Sequence, residues 1–198
     1  MSHPRGLVLA SGSASRRAML EAAGLAFDVE PAGVDEARLK EQLAGHDPVQ
    51  VALELARAKA RDVGERRPGE LVLGGDSLVE VEGRLYDKPR DRHEAAEHLR
   101  AFSQAAMRLH SAAAITRGSA ELWSHVETAE LKVRRLSDEL IESYLACEWP
   151  AVRQCVGVFR IEGRGVQLFE AIEGSHFTVL GLPLLAVLAA LRDLGAAP

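Results

Sequence analysis

The chain has only two cysteines, Cys147 and Cys155, aromatic residues make up 5% of it, and no apolar run is long enough to span a bilayer. Each scarcity excludes something. The cysteines form no CxxC pair and are too few for a disulfide framework, which fits a reducing compartment. The longest apolar run, LPLLAVLAAL ending at Leu191, is about half the length of a membrane-spanning helix. The four apolar residues before the first serines fall far short of a secretory signal. A cytoplasmic protein with no membrane anchor is therefore expected. Positive charge is not in excess: 24 Lys and Arg face 29 Asp and Glu, for a formal net charge of -5. That argues against a broad footprint for a nucleic acid polymer and leaves room for a local basic pocket. The histidines at 3, 46, 93, 98, 110, 125 and 176 show no HxxxH or HExxH spacing, so any metal is expected to be oxygen-ligated. Neither GxxxxGK[ST] nor GxSxG occurs, and kinase signatures are missing, which disfavours P-loop, serine-hydrolase and kinase chemistry.

What is present is an ordinary globular composition, 47% hydrophobic and 27% charged over 198 residues. That length suits a single domain over 1–198, or two lobes sharing one sheet. Leu7–Ala10 reads as a buried strand, SGSAS as a loop, and Arg16–Ala23 as a helix stopped by Gly24. Phe27–Pro31 is a second strand candidate. Asp47-Pro48 marks a helix start, and the pattern runs on to a stop at Gly64 with Lys59 in its C-terminal half. ELVLGGDSLVEVEGRLYDKP reads as a strand, a double-glycine break and a hairpin turning at Glu82-Gly83. Asp91 and Glu94 have capping-box spacing. LHSAAAIT and WSHVETAELKVRRL read as strands about Arg117-Gly118, and Ser137 caps a further helix. Cys155–Gly174 looks hairpin-like about Gly163–Gly165, and a last helix runs from Pro183 to Gly195. Helices interspersed with strands and hairpins imply an α/β fold with a mixed central sheet flanked by helices.

Two constellations could carry chemistry. In LVLASGSASRRAML a strand delivers the chain to a small-residue loop at a helix start. Free helix amides, the Ser11 and Ser13 hydroxyls, close approach at Gly12 and the forked cation of Arg16 would suit phosphate. The plainer alternative is that Ser13 or Ser15 caps the helix and the arginines are solvated. In GGDSLVEVEGRLYDKP, a two-residue turn would set Ser77 opposite Lys88 and Asp76 opposite Pro89. That brings Asp76 near Lys88, although joint action would need irregular backbone there. A surface hairpin with an incidental charge pair is the alternative. Asp35, Glu36 and Lys59, taken alone, read as solvated charges.

Taken together, LASGSASRR, VDE, LARAKA, GGDSLVEVEG, DKP, VGVFRIEGRG and IEGSHFTVLGLPL resemble, in order, the motifs of the Maf family of nucleoside triphosphate pyrophosphatases, also called septum-formation-like proteins. The resemblance implies two lobes around a cleft, an architecture like that of inosine triphosphate pyrophosphatases, and a homodimer. It also implies hydrolysis of a nucleoside triphosphate between the α and β phosphates, with a divalent metal cation, Mg²⁺ or Mn²⁺. Carried over by motif, Ser11, Ser13, Arg16 and, as a weaker match, Arg17 would bind the triphosphate. Asp76, Lys88, Lys59 and Glu36 would be catalytic, with Asp76 and Glu36 as metal ligands, and Asp76 either general base or metal ligand. Departures are Gln104 for a common glycine, Met107 for a histidine, Asp87 for glycine in DKP, and Val156 for alanine.

Ser15, Ser77 and Glu162 match positions that distinguish substrate branches. Glutamate at the last is usual in the 7-methyl-GTP branch and glutamine in the pyrimidine branch. A carboxylate can accept from both guanine N1–H and the exocyclic amine, and a cationic methylated ring strengthens that attraction. A guanine-type base is therefore expected. The alternatives are a UTP, dTTP or CTP pyrophosphatase, or a nucleotide-binding cell-division regulator with little turnover.

Overall fold

The structure, a computed structural model, describes residues 6–197. Its strands are β1 (Leu7–Ala10), β2 (Asp28–Val29), β3 (Leu71–Val81), β4 (Arg84–Tyr86), β5 (Ala106–Arg117), β6 (Ala120–Val133) and β7 (Phe169–Glu173). Its helices are α1 (Ala14–Ala22), α2 (Glu36–Gln42), α3 (Pro48–Arg66), α4 (Arg92–Phe102), α5 (Asp138–Glu148), α6 (His176–Val179) and α7 (Leu184–Asp193). The strand order is β2-β1-β3-β5-β6-β7, with β4 paired to β3. β1 runs parallel to β2 and β3, whereas β3–β4 and β6–β7 are antiparallel, so the sheet is mixed. The expected α/β class with a mixed sheet is what the chain adopts. Among the described residues no helix is long and apolar enough to cross a membrane.

The chain divides into two compact units, to both of which β3, β5 and β6 contribute. The first holds the described residues up to Ser77, Ser111–Glu127, and those from Gly181 onward. Here α3 starts at Pro48 because Asp47 Oδ1 accepts from the Val49 amide at 2.8 Å. Its buried face, including Val51, Ala52, Leu55, Ala56, Lys59, Ala60 and Val63, recurs at three- and four-residue spacing. Val63 packs with Val8, Ala10 and Val72 of β1 and β3.

The second unit holds Leu78–His110 and Thr128–Leu180. Its core gathers Leu99 and Phe102 of α4, Ile141 and Leu145 of α5, and the inward residues of β3, β5 and β6. His110 is buried but satisfied, with Nε2 3.0 Å from Glu80 Oε2 and Nδ1 2.9 Å from Thr128 Oγ1.

Several expectations are corrected. Gly74 and Gly75 do not break β3, which runs on through Val81. Gly64 does not stop α3; it is buried inside the helix, where a Cβ would lie 2.3 Å from Gly118 O. The hairpin does turn at Glu82-Gly83, both at positive φ, and pairs Val79 with Tyr86. β4 then ends at Tyr86, so the ladder never reaches the projected Ser77–Lys88 pair. The stretch about Gly163–Gly165 is no hairpin. Turns and a short 3-10 segment, Arg164–Leu168, lead into β7, and a Cβ at Gly165 would sit 2.5 Å from Arg160 O. The Asp91 side chain caps α4 as expected, accepting from the Glu94 amide, but Glu94 reaches back to the Arg90 amide rather than to Asp91.

The replacements at Gln104 and Met107 also have a physical reading. Gln104 adopts a left-handed φ of 65°, a conformation that favours the glycine it replaces. Met107 is buried in the second unit's core, where it contributes apolar packing. Gln104→Gly should therefore stabilise the protein by about 0.5–1 kcal/mol, read as a raised urea midpoint with unchanged slope. An unchanged or lowered midpoint would refute strain at this residue.

Candidate active site

Ser11, Arg16, Lys59 and Asp76 are among the few polar residues buried in the chain, and all lie in the first unit. Gly74 and Gly75 explain how they come together. A Cβ on Gly74 would stand 2.3 Å from Ala56 O and 2.6 Å from the Ala60 amide, so only glycine lets the α3 backbone press against β3. Lys59, on that pressed turn, reaches Asp76 two residues along the strand, with Nζ 2.6 Å from Oδ1. The same ammonium lies 2.8 Å from Glu36 Oε1. Glu36 opens α2, a helix missed in the sequence because none of its residues is buried and it carries no apolar stripe. Asp35, the other loop acid, caps it by accepting from the Arg38 amide.

Arg16 lies over the strand at Gly75, where a Cβ would meet its Nε at 3.1 Å. Its Nε donates to Gly181 O at 2.8 Å, Nη1 to Ser11 Oγ at 3.0 Å and Nη2 to Ser77 Oγ at 2.9 Å. Burial pushes the guanidinium below its usual pKa range, and the charges of Asp76 and Glu36 pull it back up. Ser13 caps α1, its Oγ accepting from the Arg16 amide at 3.4 Å and lying 3.0 Å from Ser15 Oγ. The capping role and the buried arginine therefore coexist. Gly12 meets nothing of the chain within 4 Å of a built Cβ.

Arg17 is not brought into this group. It points to an exposed face of α1 and pairs with Glu21 at 2.7 Å. Lys88 and Glu162 belong to the second unit and are both exposed. They share a neighbourhood there around Cys155, whose thiol is pushed up by burial and by Glu162, and pulled down by Arg160 and Lys88. Arg160 is itself held on the buried Glu148, with Nη2 2.8 Å from Oε2. Ser111 and Gly181, which complete the surroundings of Ser77 and Arg16, were not singled out in the sequence. The available signal for Ser111 was a hydroxyl in the small apolar run HSAAAI. For Gly181, at φ 103°, it was the lone glycine before LPL.

Asp76 and Glu36 converge on one ammonium, so an all-oxygen pair of carboxylates is aimed at a common point. Among the described residues no group of three or more His, Cys, Asp or Glu side chains could hold a metal. Two carboxylates completed by substrate phosphates and water is nonetheless an ordinary donor set for Mg²⁺. The residues present fit such an ion.

A mixed sheet whose first unit buries Arg16, Lys59 and Asp76, with Glu36 beside them, makes this an α/β protein with a charged, largely buried site. A family model described as Maf-like protein matches residues 6–194. The chain belongs to the Maf family. It is 47% identical over 192 residues, 96% of each chain, to a protein of Rhizobium meliloti (strain 1021) named 7-methyl-GTP pyrophosphatase. It is 44% identical over 97% of its own length and 95% of the other's to a nucleoside triphosphate pyrophosphatase of Nitrobacter hamburgensis. A 45% identical relative in Sphingopyxis alaskensis, matched over 97% and 98% of the two chains, bears the same name, nucleoside triphosphate pyrophosphatase.

If the pressed contact of α3 on β3 builds this site, Gly74→Ala must damage it. The added methyl meets backbone rather than a movable side chain, so stability should fall by about 1–3 kcal/mol or more. Denaturation midpoints test this, and a variant as stable as the parent would show that the contact has slack.

Proposed function

We propose that this chain hydrolyses the α–β phosphoanhydride of nucleoside triphosphates, releasing a nucleoside monophosphate and diphosphate, and that it prefers 7-methyl-GTP or another guanine-type base. The observation that carries the reading is the buried group of Arg16, Lys59 and Asp76 with Glu36 beside it, in a chain whose full-length relatives bear pyrophosphatase names. A bound triphosphate brings roughly four negative charges, which must be offset where water is excluded. Arg16, the Ser11 and Ser13 hydroxyls and the first amides of α1 would hold its oxygens, with Arg17 at most a peripheral contributor. Lys59, and Lys88 by family resemblance, would offset charge that builds on the leaving diphosphate.

Asp76 and Glu36 would hold Mg²⁺ or Mn²⁺, which supplies charge neutralisation and a lowered pKa for a coordinated water. Asp76 would orient the attacking water toward the α phosphorus as general base, or would serve instead as a ligand holding the cation. The water oxygen bonds to that phosphorus as the bond to the bridging oxygen breaks, and diphosphate leaves. Glu162 would accept from the base edge of a guanine, and Ser15 lies beside Ser13 at the mouth of α1 as a second selecting position. The family resemblance supports a homodimer as the working form.

Diphosphate release from GTP, 7-methyl-GTP, UTP, CTP and dTTP with Mg²⁺ or Mn²⁺ tests the reading. Turnover is expected, with the guanine nucleotides ahead; failure with every nucleotide would sink the enzyme assignment in favour of a binding role. Asp76→Asn should keep nucleotide affinity and lose about 10²–10⁴ in kcat. Near-normal turnover would remove Asp76 from the chemistry. Glu162→Gln should shift the ranking toward pyrimidine nucleotides, and an unaltered ranking would contradict base reading by that carboxylate.

A further inference from the structure

Ser77, a substrate-selecting position by resemblance, has its hydrogen-bonding capacity filled from within the first unit. Its Oγ lies 2.9 Å from Arg16 Nη2, 3.1 Å from Ser111 Oγ and 3.2 Å from Gly181 O. A hydroxyl donates once and accepts twice. Arg16 donates to it, Gly181 O can take its proton, and the Ser111 hydroxyl can supply the remaining bond. No capacity is left for a base edge. Gly181 is built into the same arrangement: at φ 103° a side chain would be strained, and a Cβ would stand 3.1 Å from Ser77 Oγ.

All three groups that receive Arg16's hydrogen bonds, Gly181 O, Ser11 Oγ and Ser77 Oγ, are neutral. Neutral acceptors fix the plane of a guanidinium without cancelling its charge, whereas a bidentate carboxylate would do both and compete with phosphate. A guanidinium also has more N–H donors than the acceptors it meets here. We infer that Ser77, Ser111 and the Gly181 carbonyl form a neutral clamp that orients Arg16 toward phosphate, with Ser77 and Ser111 acting as positioning residues rather than base readers. The clamp rests on the phosphate-binding role of Arg16 in the proposed function.

The test uses Ser77→Ala and Ser111→Ala, each alone and combined with Arg16→Met. It reads KM and kcat on the nucleotide panel, and calorimetric affinity for inorganic tripolyphosphate. Each serine variant should raise KM about tenfold for every nucleotide, leave their ranking unchanged, and weaken tripolyphosphate by a similar factor. In the Arg16→Met background neither should have any further effect, and Ser77→Thr, which keeps the hydroxyl, should hold tripolyphosphate like the parent. Three results would overturn the clamp: a reordered ranking in Ser77→Ala, unchanged tripolyphosphate affinity, or an undiminished loss on top of Arg16→Met. Should Arg16→Met fail to fold, the ranking and the tripolyphosphate affinity decide. Tripolyphosphate binding needs no turnover, so a chain that binds it through a clamped Arg16 but hydrolyses no nucleotide refutes the enzyme reading and leaves the clamp standing.

Discussion

The contact between the α3 backbone and β3 at Gly74 is the constraint on which the site depends. A helix normally keeps its neighbour at the distance of its side chains, and here the strand contributes none at Gly74. Ala56 and Ala60, small residues on the same face, complete the close approach. Lys59 follows from it: a flexible cation on the pressed turn has both Asp76, at 2.6 Å, and Glu36, at 2.8 Å, within hydrogen-bond reach. Burying such a pair carries a desolvation cost that its mutual attraction roughly repays, so net stability is a poor reason for its presence. Its chemistry is a better one.

Among the described residues, the two buried cations of the first unit, Arg16 and Lys59, are held in opposite ways. Lys59 is ion-paired with two carboxylates, whereas Arg16 hydrogen-bonds to neutral oxygens and feels Asp76 and Glu36 from a distance. Burial disfavours its charged form, and that destabilisation is relieved by any anion that comes to the guanidinium. A phosphate is such an anion. The arrangement separates two tasks that a single salt-bridged arginine could not perform together, fixing the orientation of a cation and keeping its charge available.

Much of this was legible in the chain because it was local. Caps at Ser13, Asp47, Asp91 and Ser137 act on amides two or three residues away, and the Glu82-Gly83 turn follows from two neighbouring positive φ values. The failures share the opposite property. In sequence Gly64, Gly74 and Gly75 look like punctuation because glycine is the usual breaker, but each is there for a neighbour distant in sequence: Gly118 O, the α3 backbone and Arg16. The Cys155–Leu168 stretch alternates like a hairpin yet packs as turns, since Gly165 lies against the Arg160 backbone. The short helix α2 carried a cap but buried nothing, and a helix without an apolar face leaves little periodicity to read.

The sequence by itself determined the residue types and their order: the serine-arginine turn, the helical lysine, the strand aspartate, the hairpin lysine and the family to which they belong. It also determined the caps and the tight turn, because those are set by contacts within a few residues. Only the tertiary structure decided which charges meet. It joined Lys59 to both Asp76 and Glu36, and closed Ser77 onto Arg16, Ser111 and Gly181. The physical reason is that a missing side chain, at Gly74, Gly75 or Gly181, has meaning only through what moves into the space it leaves.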